Sequence, residues 1–309
     1  MGALYVNFRT MKTKFREFKA AEKQKSKTMQ LLNIVLLHNQ VPESYVDLFE
    51  KMVFFDYVIP LKGEHYIELL RFEKLATLNM YEGTIVTYMG IRSNAWFNQR
   101  SKMIESRESD EDLYANTKKA TFYFIPEVHK LCLMSGSEIT IQNIKKYVDA
   151  ASEKILGAEQ IHSNFVTSKD EITEAYKELN INRVKLTLNY SNKDNTEGFE
   201  ETFDDLAKDD NIALINMDIS SAENEELNLS KGGMVDSLIN LVTKKGNGSA
   251  EITGYQLIPG KKKGSKPKRK NHRIRTENYI EKIKVGFSSI GGIYMAIYNE
   301  VITRYKGSE

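Results

Sequence analysis

Three groups of residues in this chain have side chains at spacings suited to chemistry. The densest is 260–275, Gly-Lys-Lys-Lys-Gly-Ser-Lys-Pro-Lys-Arg-Lys-Asn-His-Arg-Ile-Arg. Nine of its sixteen residues are basic: Lys261, Lys262, Lys263, Lys266, Lys268, Arg269, Lys270, Arg273 and Arg275. The whole chain of 309 residues has 44 Lys and Arg against 42 Asp and Glu, so without those nine the balance is 35 against 42 and its sign reverses. A positive concentration of this kind is the footprint of phosphate-backbone binding, although a solvated linker has a similar composition. The second group is Glu127 and His129, two residues apart in Pro-Glu-Val-His-Lys. On a strand they would share a face, and a Glu–His pair can do acid–base work. A hairpin-edge histidine satisfied by hydrogen bonds fits the same residues better, since no nucleophile or third partner is identifiable. The third group is acidic: 194–228 holds twelve Asp or Glu against one Lys, including Asp204, Asp205, Asp209, Asp210 and Asp218. Converging carboxylates of this type hold magnesium in nucleases. Without a Glu-x-Lys element beside them, a solvated acidic face is the better reading. The same segment has the charge to dock on the basic stretch and mask it.

Other chemistry is harder to place. Gly-Lys-Lys-Lys-Gly-Ser-Lys lacks the spacing of a phosphate-binding loop. The five histidines, His38, His65, His129, His162 and His272, show no metal-ligand spacing. The single cysteine, Cys132, excludes an intrachain disulfide and a cysteine-based zinc cage. Neither a catalytic residue, a metal nor a cofactor is assigned. No zinc-finger, basic-zipper or RNA-recognition signature is present, so binding would rest on phosphates and discriminate poorly between sequences. Tyr255, His272 and Tyr279 lie near the basic stretch and would allow some base stacking.

The elements that must position these residues follow from hydrophobic spacing. Residues 9–27 are basic, with Phe15 and Phe18 three apart, and read as an N-terminal arm over 1–30. A buried strand is expected from Leu31, a helix opened by Pro42, and a strand over Tyr81–Gly90. Residues 98–118 read as a charged loop. The run 120–134, divided at Pro126, has a hairpin signature, and 139–156 a helix with Ile141, Ile144, Val148, Ala151 and Ile155 on one side. In the second half, strands are expected at 162–167, 183–190, 212–219, 252–258 and 279–287. Helices are expected from Ser168, whose spacing to Glu171 is that of a capping box, and at 199–208, 234–243 and 287–305. The basic stretch would then be a loop between two strands.

Several of these segments carry a resemblance. Phe122-Tyr-Phe-Ile-Pro-Glu-Val-His-Lys-Leu, Asn164-Phe-Val-Thr-Ser-Lys-Asp-Glu-Ile and Val184-Lys-Leu-Thr-Leu-Asn-Tyr-Ser-Asn-Lys-Asp resemble a family of uncharacterised prokaryotic proteins. The early Leu32-Asn-Ile-Val-Leu-Leu-His-Asn, Glu82-Gly83 and Trp96-Phe97 look like it too, so coverage is about 31–240. The resemblance implies a link to phage defence and, more loosely, similarity to superinfection-exclusion proteins of the RexA type, which are dimeric, sequence-indifferent DNA binders. It implies no catalytic residues, and the basic stretch is not among its motifs.

Together these readings predict an α+β fold with mixed or antiparallel sheets and packed helices, in two domains: 31–158, and 159–309 bearing the basic loop. The expected protein is cytoplasmic and non-enzymatic, with no membrane span. It binds a DNA or RNA backbone as sensor or subunit of an anti-phage system, and its partners include a second copy or a defence protein. The alternatives are a metal-dependent nuclease using Asp204, Asp205 and Asp218, and a protein-interaction subunit whose C-terminal helix packs on a partner.

Overall fold

The computed structural model describes residues 25–36, 41–90, 96–105, 114–157, 160–189, 212, 214–223, 225–230, 232–244, 246–259, 267–289 and 291–306. Residues 1–24 of the expected arm, the expected helix at 199–208 and the first part of the basic stretch, 260–266, lie outside them.

The strand expected at Leu31 is β1 (Lys25–Leu36), an interior strand of the first sheet. Its second half is apolar at nearly every position, a pattern a strand carries when both of its faces are covered. Met29 and Leu31 pack into one layer and Leu32, Ile34 and Leu36 into the other, all buried. The sheet places β14 (Ile283–Phe287), β1, β8 (Lys130–Met134), β7 (Ala115–Ile125), β4 (Tyr81–Met89), β3 (His65–Lys74) and β2 (Ile59–Pro60) side by side, and β9 (Ile161–Phe165) pairs further along β1. Helices α1 (Pro42–Phe54) and α2 (Ile141–Leu156) bury Tyr45, Phe49, Ile144 and Val148 on one face of it. The C-terminal helix α5 (Gly292–Tyr305) buries Ile297 and Val301 on the other.

The second sheet has four strands in the order β11 (Ile215–Ser220), β10 (Asn180–Leu188), β12 (Gly248–Ile258) and β13 (Lys268–Arg275). Val184, Leu186 and Leu188 of β10, at every second position, face α3 (Lys169–Tyr176) and α4 (Met234–Lys244) through Ile172, Leu238 and Val242. Helix α3 begins as its sequence implies, with the Ser168 hydroxyl accepting from the Glu171 amide. Asp236 joins the two helices: its carboxylate takes Lys169 Nζ at 2.7 Å, the Gly232 amide at 3.0 Å and Asn240 Nδ2 at 3.3 Å. Burial alone would raise its pKa, but these donors hold the carboxyl below the usual range.

The fold is α+β, and every strand pairing among the described residues is antiparallel. Four expectations need correction. Residues 25–30 belong to β1, not to an arm, because Lys25–Met29 pair with Ile283–Phe287. The expected loop 98–118 contains a two-stranded hairpin, β5 (Trp96–Asn98) and β6 (Met103–Glu105), and the first residues of β7. The sheets do not divide at 158/159, since β9 and β14 come after that point and pair with β1. Glu127 and His129 share no strand face: Pro126–Val128 form a 3-10 turn and His129 follows at φ 54°. Among the described residues no helix is long and apolar enough to cross a membrane.

Candidate nucleic-acid interface

The second half of the basic stretch is not a loop but the edge strand β13. It contains a single aliphatic residue, Ile274, too little for a period-two signal, and its strand form comes from the ladder to β12. Eight residue pairs run from Glu251↔Arg275 to Ile258↔Lys268. The strand expected at 279–287 as its neighbour is β14, which pairs with β1 in the first sheet instead. Of the nine basic residues expected to bind, Lys268, Arg269, Lys270, Arg273 and Arg275 lie on β13, and Lys261, Lys262, Lys263 and Lys266 lie outside the described residues.

Alternation sorts β13 into two faces. Ile274 points inward and is buried with the α3–α4 core, and His272 sits beside it half-buried. Arg269, Asn271, Arg273 and Arg275 point the other way, onto the sheet face that none of the described helices covers. The same face receives Thr253, Tyr255 and Leu257 from β12, Arg183 and Lys185 from β10, and Asn216 and Asp218 from β11. Among the described residues five cations thus share this sheet face with two carboxylates.

The carboxylates are occupied. Asp218 accepts Arg183 Nε at 2.7 Å and a second bond from the same guanidinium, with Lys185 Nζ at 4.0 Å. The Arg183 bonds hold its carboxyl below the usual range. Glu251 stands between Arg273 Nε at 3.2 Å and Arg275 Nε at 3.0 Å. These exposed pairs are individually weak and exchangeable for phosphate contacts. Arg269 has no carboxylate within reach among the described residues, and its guanidinium lies 4.5 Å from the centre of the Tyr255 ring. The result is an aromatic ring flanked by cations on a flat polar surface, suited to a stacked base with its phosphate alongside. At the far end of the ribbon Ile258, on the helix side, is 42 % exposed, and Lys268 and Lys270 on that side are exposed with it. A lysine-rich edge strand also resists pairing with other sheets, and the charge serves that purpose as well.

The other sequence candidates are placed elsewhere. Glu127 accepts from Asn79 at 2.8 Å, Tyr298 at 3.1 Å and Lys306 at 2.8 Å, and has no bond to His129. His129 is 4 % exposed and stacks on Tyr45 at 4.3 Å. Burial, with a contribution from Lys130, lowers its pKa to about 3, so it is neutral and structural. Asp218 is committed to Arg183, while Asp204, Asp205, Asp209 and Asp210 lie outside the described residues. Among the described residues no three His, Cys, Asp or Glu converge as for a metal ion. The sequence reading missed Arg183 and Lys185, whose alternation with Val184 and Leu186 already puts them on the uncovered face, and Glu251, which only the register with β13 reveals.

No curated protein matches the chain. A family model described as a domain of unknown function, DUF4747, matches residues 25–302, from the first strand of the first sheet into the last helix. That span takes in both sheets and reaches all five helices given above, and the chain belongs to the DUF4747 family.

Proposed function

We propose that the protein is a non-enzymatic, sequence-indifferent nucleic-acid-binding protein, and that the ligand lies on the open face of the second sheet and along β13. The observation that carries this reading is the row Arg269, Arg273 and Arg275 on one face of a basic edge strand, with Arg269 over the Tyr255 ring. Phosphates would displace Glu251 from its two arginines, and a base would stack on Tyr255. The biological setting we propose, a sensor or subunit of a prokaryotic anti-phage system, is supported by the family resemblance in the sequence motifs alone.

The test is fluorescence anisotropy with single-stranded DNA, duplex DNA and RNA of one length over a range of salt concentrations. Replacing Lys268, Arg269, Lys270 and Arg273 by Gln should weaken binding about a hundredfold or more at low salt. It should also flatten the slope of log affinity against log salt by about 0.7–0.9 for each phosphate that is no longer neutralised. Equal affinity and slope in wild type and variant overturn the reading. Phage challenge of cells carrying wild type or that variant then tests the setting.

A further inference from the structure

The open face of the second sheet is closed at one end by the first sheet. Past the β10–β12 ladder the Asn189 amide donates to Asn247 O at 3.1 Å. Asn33 of β1 and Asn164 of β9 are cross-strand partners, and their Nδ2 groups reach Asn247 Oδ1 at 3.1 Å and Asn189 Oδ1 at 3.2 Å. Four asparagines from four segments thus stand across the end of the face. Beside them lies a cavity of about 320 Å³ whose lining includes Lys185, Thr187, Ser249, Glu251, Arg275 and Glu277. Thr187 and Ser249 are two residues from Asn189 and Asn247, and alternation puts Asn189 on the face of Thr187 and Lys185. The side chains go from exposed at Lys185, through half-buried at Thr187 and Ser249, to buried at Asn189 and Asn247.

The orientation of these amides points to a ligand. The Lys130 ammonium only donates, so Asn33 turns Oδ1 to it and Nδ2 to Asn247, and Asn247 turns Oδ1 to Asn33. This order leaves Asn247 Nδ2 with no acceptor among the described residues, and Asn189 Nδ2 has none there either. The two side chains are 0 % and 2 % exposed, so water at the surface does not satisfy them. Buried donors without an acceptor are costly, and the two here sit side by side next to a polar cavity.

We infer that the face is a track with a closed end, and that this end takes the terminal phosphate of a nucleic-acid strand. The inference rests on the nucleic-acid reading above. Oxygens of the terminal phosphate accept from Asn189 Nδ2 and Asn247 Nδ2, and the attached nucleotide fills the cavity, whose volume is at the lower end of the range for small-molecule sites. An internal phosphate carries chain on both sides and does not enter a closed end. Lys185 and Arg275 are matched in the lining by Glu251 and Glu277, so neutral amide donors, not net charge, select the terminus. The preference for a phosphorylated end should therefore persist as salt rises, while the contribution of β13 falls.

Displacement of an internally labelled oligonucleotide tests the inference. The competitors are unlabelled single strands of one sequence with a 5′-phosphate, a 3′-phosphate or hydroxyls at both ends, the same strand circularised, and inorganic phosphate. One of the two phosphorylated strands should compete about tenfold better than the hydroxyl-ended one, through its charge-assisted bonds. The circle should compete no better than the hydroxyl-ended strand, and inorganic phosphate should compete more weakly than any strand. Asn189→Asp keeps an acceptor for Asn164 and replaces the free donors by a carboxylate. It should abolish the preference and leave the hydroxyl-ended strand within about twofold of wild type. Should that variant fail to fold, Ser249→Asp at the half-buried mouth of the cavity should abolish the preference too. Equal competition by all three linear strands overturns the inference and leaves the nucleic-acid reading standing. A preference that survives in the folded variants, or inorganic phosphate competing as well as a phosphorylated strand, overturns it as well. If no strand binds, the nucleic-acid reading falls and this inference with it.

Discussion

Arg269 and Tyr255 face each other across the β12–β13 ladder without a carboxylate between them, and this sets their contribution apart from that of the other arginines. In the proposed nucleic-acid reading a base stacked on the ring would replace the guanidinium, which would then meet the adjacent phosphate. Tyr255→Ala should therefore weaken single-stranded ligands by about 1–3 kcal/mol and affect duplex much less, since duplex bases are already stacked. Anisotropy with matched single- and double-stranded oligonucleotides measures the difference. An equal loss on both would mean that the ring only supports the strand. His129 supplies a second prediction at this scale. Its neutral ring is buried against Tyr45, and its pKa falls from 6.5 to about 3. Above pH 6.5 the ring is neutral in both folded and unfolded chains and its stabilisation is complete. Below that the unfolded chain takes a proton that the folded one refuses, so stability falls with pH at about 1.4 kcal/mol per unit until the folded value is reached. Between pH 7 and pH 5, wild type should lose about 2 kcal/mol more than His129→Asn, a residue that accepts the positive φ there. Urea unfolding at the two pH values gives the comparison, and parallel losses would refute it.

At the scale of elements, packing in the first sheet depends on one close approach. Gly83 of β4 pairs with Phe122 of β7, and a Cβ at Gly83 would lie 2.1 Å from the Phe122 ring. The ring in turn touches Phe49 of α1, at 5.9 Å between centroids, so it cannot swing away without disturbing the helix layer. Gly83→Ala should destabilise the protein by about 1–3 kcal/mol through overpacking, despite the better strand propensity of alanine. A thermal midpoint equal to that of wild type would show that the ring has another place to go. The hairpin β5–β6 behaves differently. Phe97 and Ile104 are paired across it and are 62 % and 74 % exposed, so side-chain burial does little to hold it.

For the whole molecule, the two sheets are joined by a buried polar chain. Lys130 Nζ on β8 donates to Asn33 Oδ1 on β1 at 2.7 Å, and Asn33 Nδ2 reaches Gly246 O and Asn247 Oδ1, both at 3.1 Å, in the turn before β12. The same ammonium lies 4.6 Å from the Tyr305 ring at the end of α5. Lys130, Asn33 and Asn247 are all fully buried, so in this low-dielectric setting the bonds are strong and their loss is expensive. Asn33→Ala should cost about 1–3 kcal/mol in urea unfolding, and Asn33→Asp, which keeps an acceptor for Lys130, should lose less. If both variants unfold at the wild-type midpoint, the link does not hold the sheets together.

Much of this fold is legible in the sequence because the signals involved are local. The double-sided apolar run of β1, the proline that opens α1, the break at Pro126, the Ser168 cap and the helical spacing in α2, α4 and α5 depend on neighbours within a few residues. The concentration of charge at 260–275 is equally plain. What tertiary structure alone decided is where that charge lies. Residues 268–275 have almost no apolar alternation, and they become a strand because β12 offers them a ladder. That register sends three arginines to an open face, sets Glu251 between two of them and leaves Arg269 on Tyr255. The return of β14 to β1 is likewise a pairing between distant segments. No local periodicity encodes such pairings, because the partner that stabilises each strand is chosen across the whole chain.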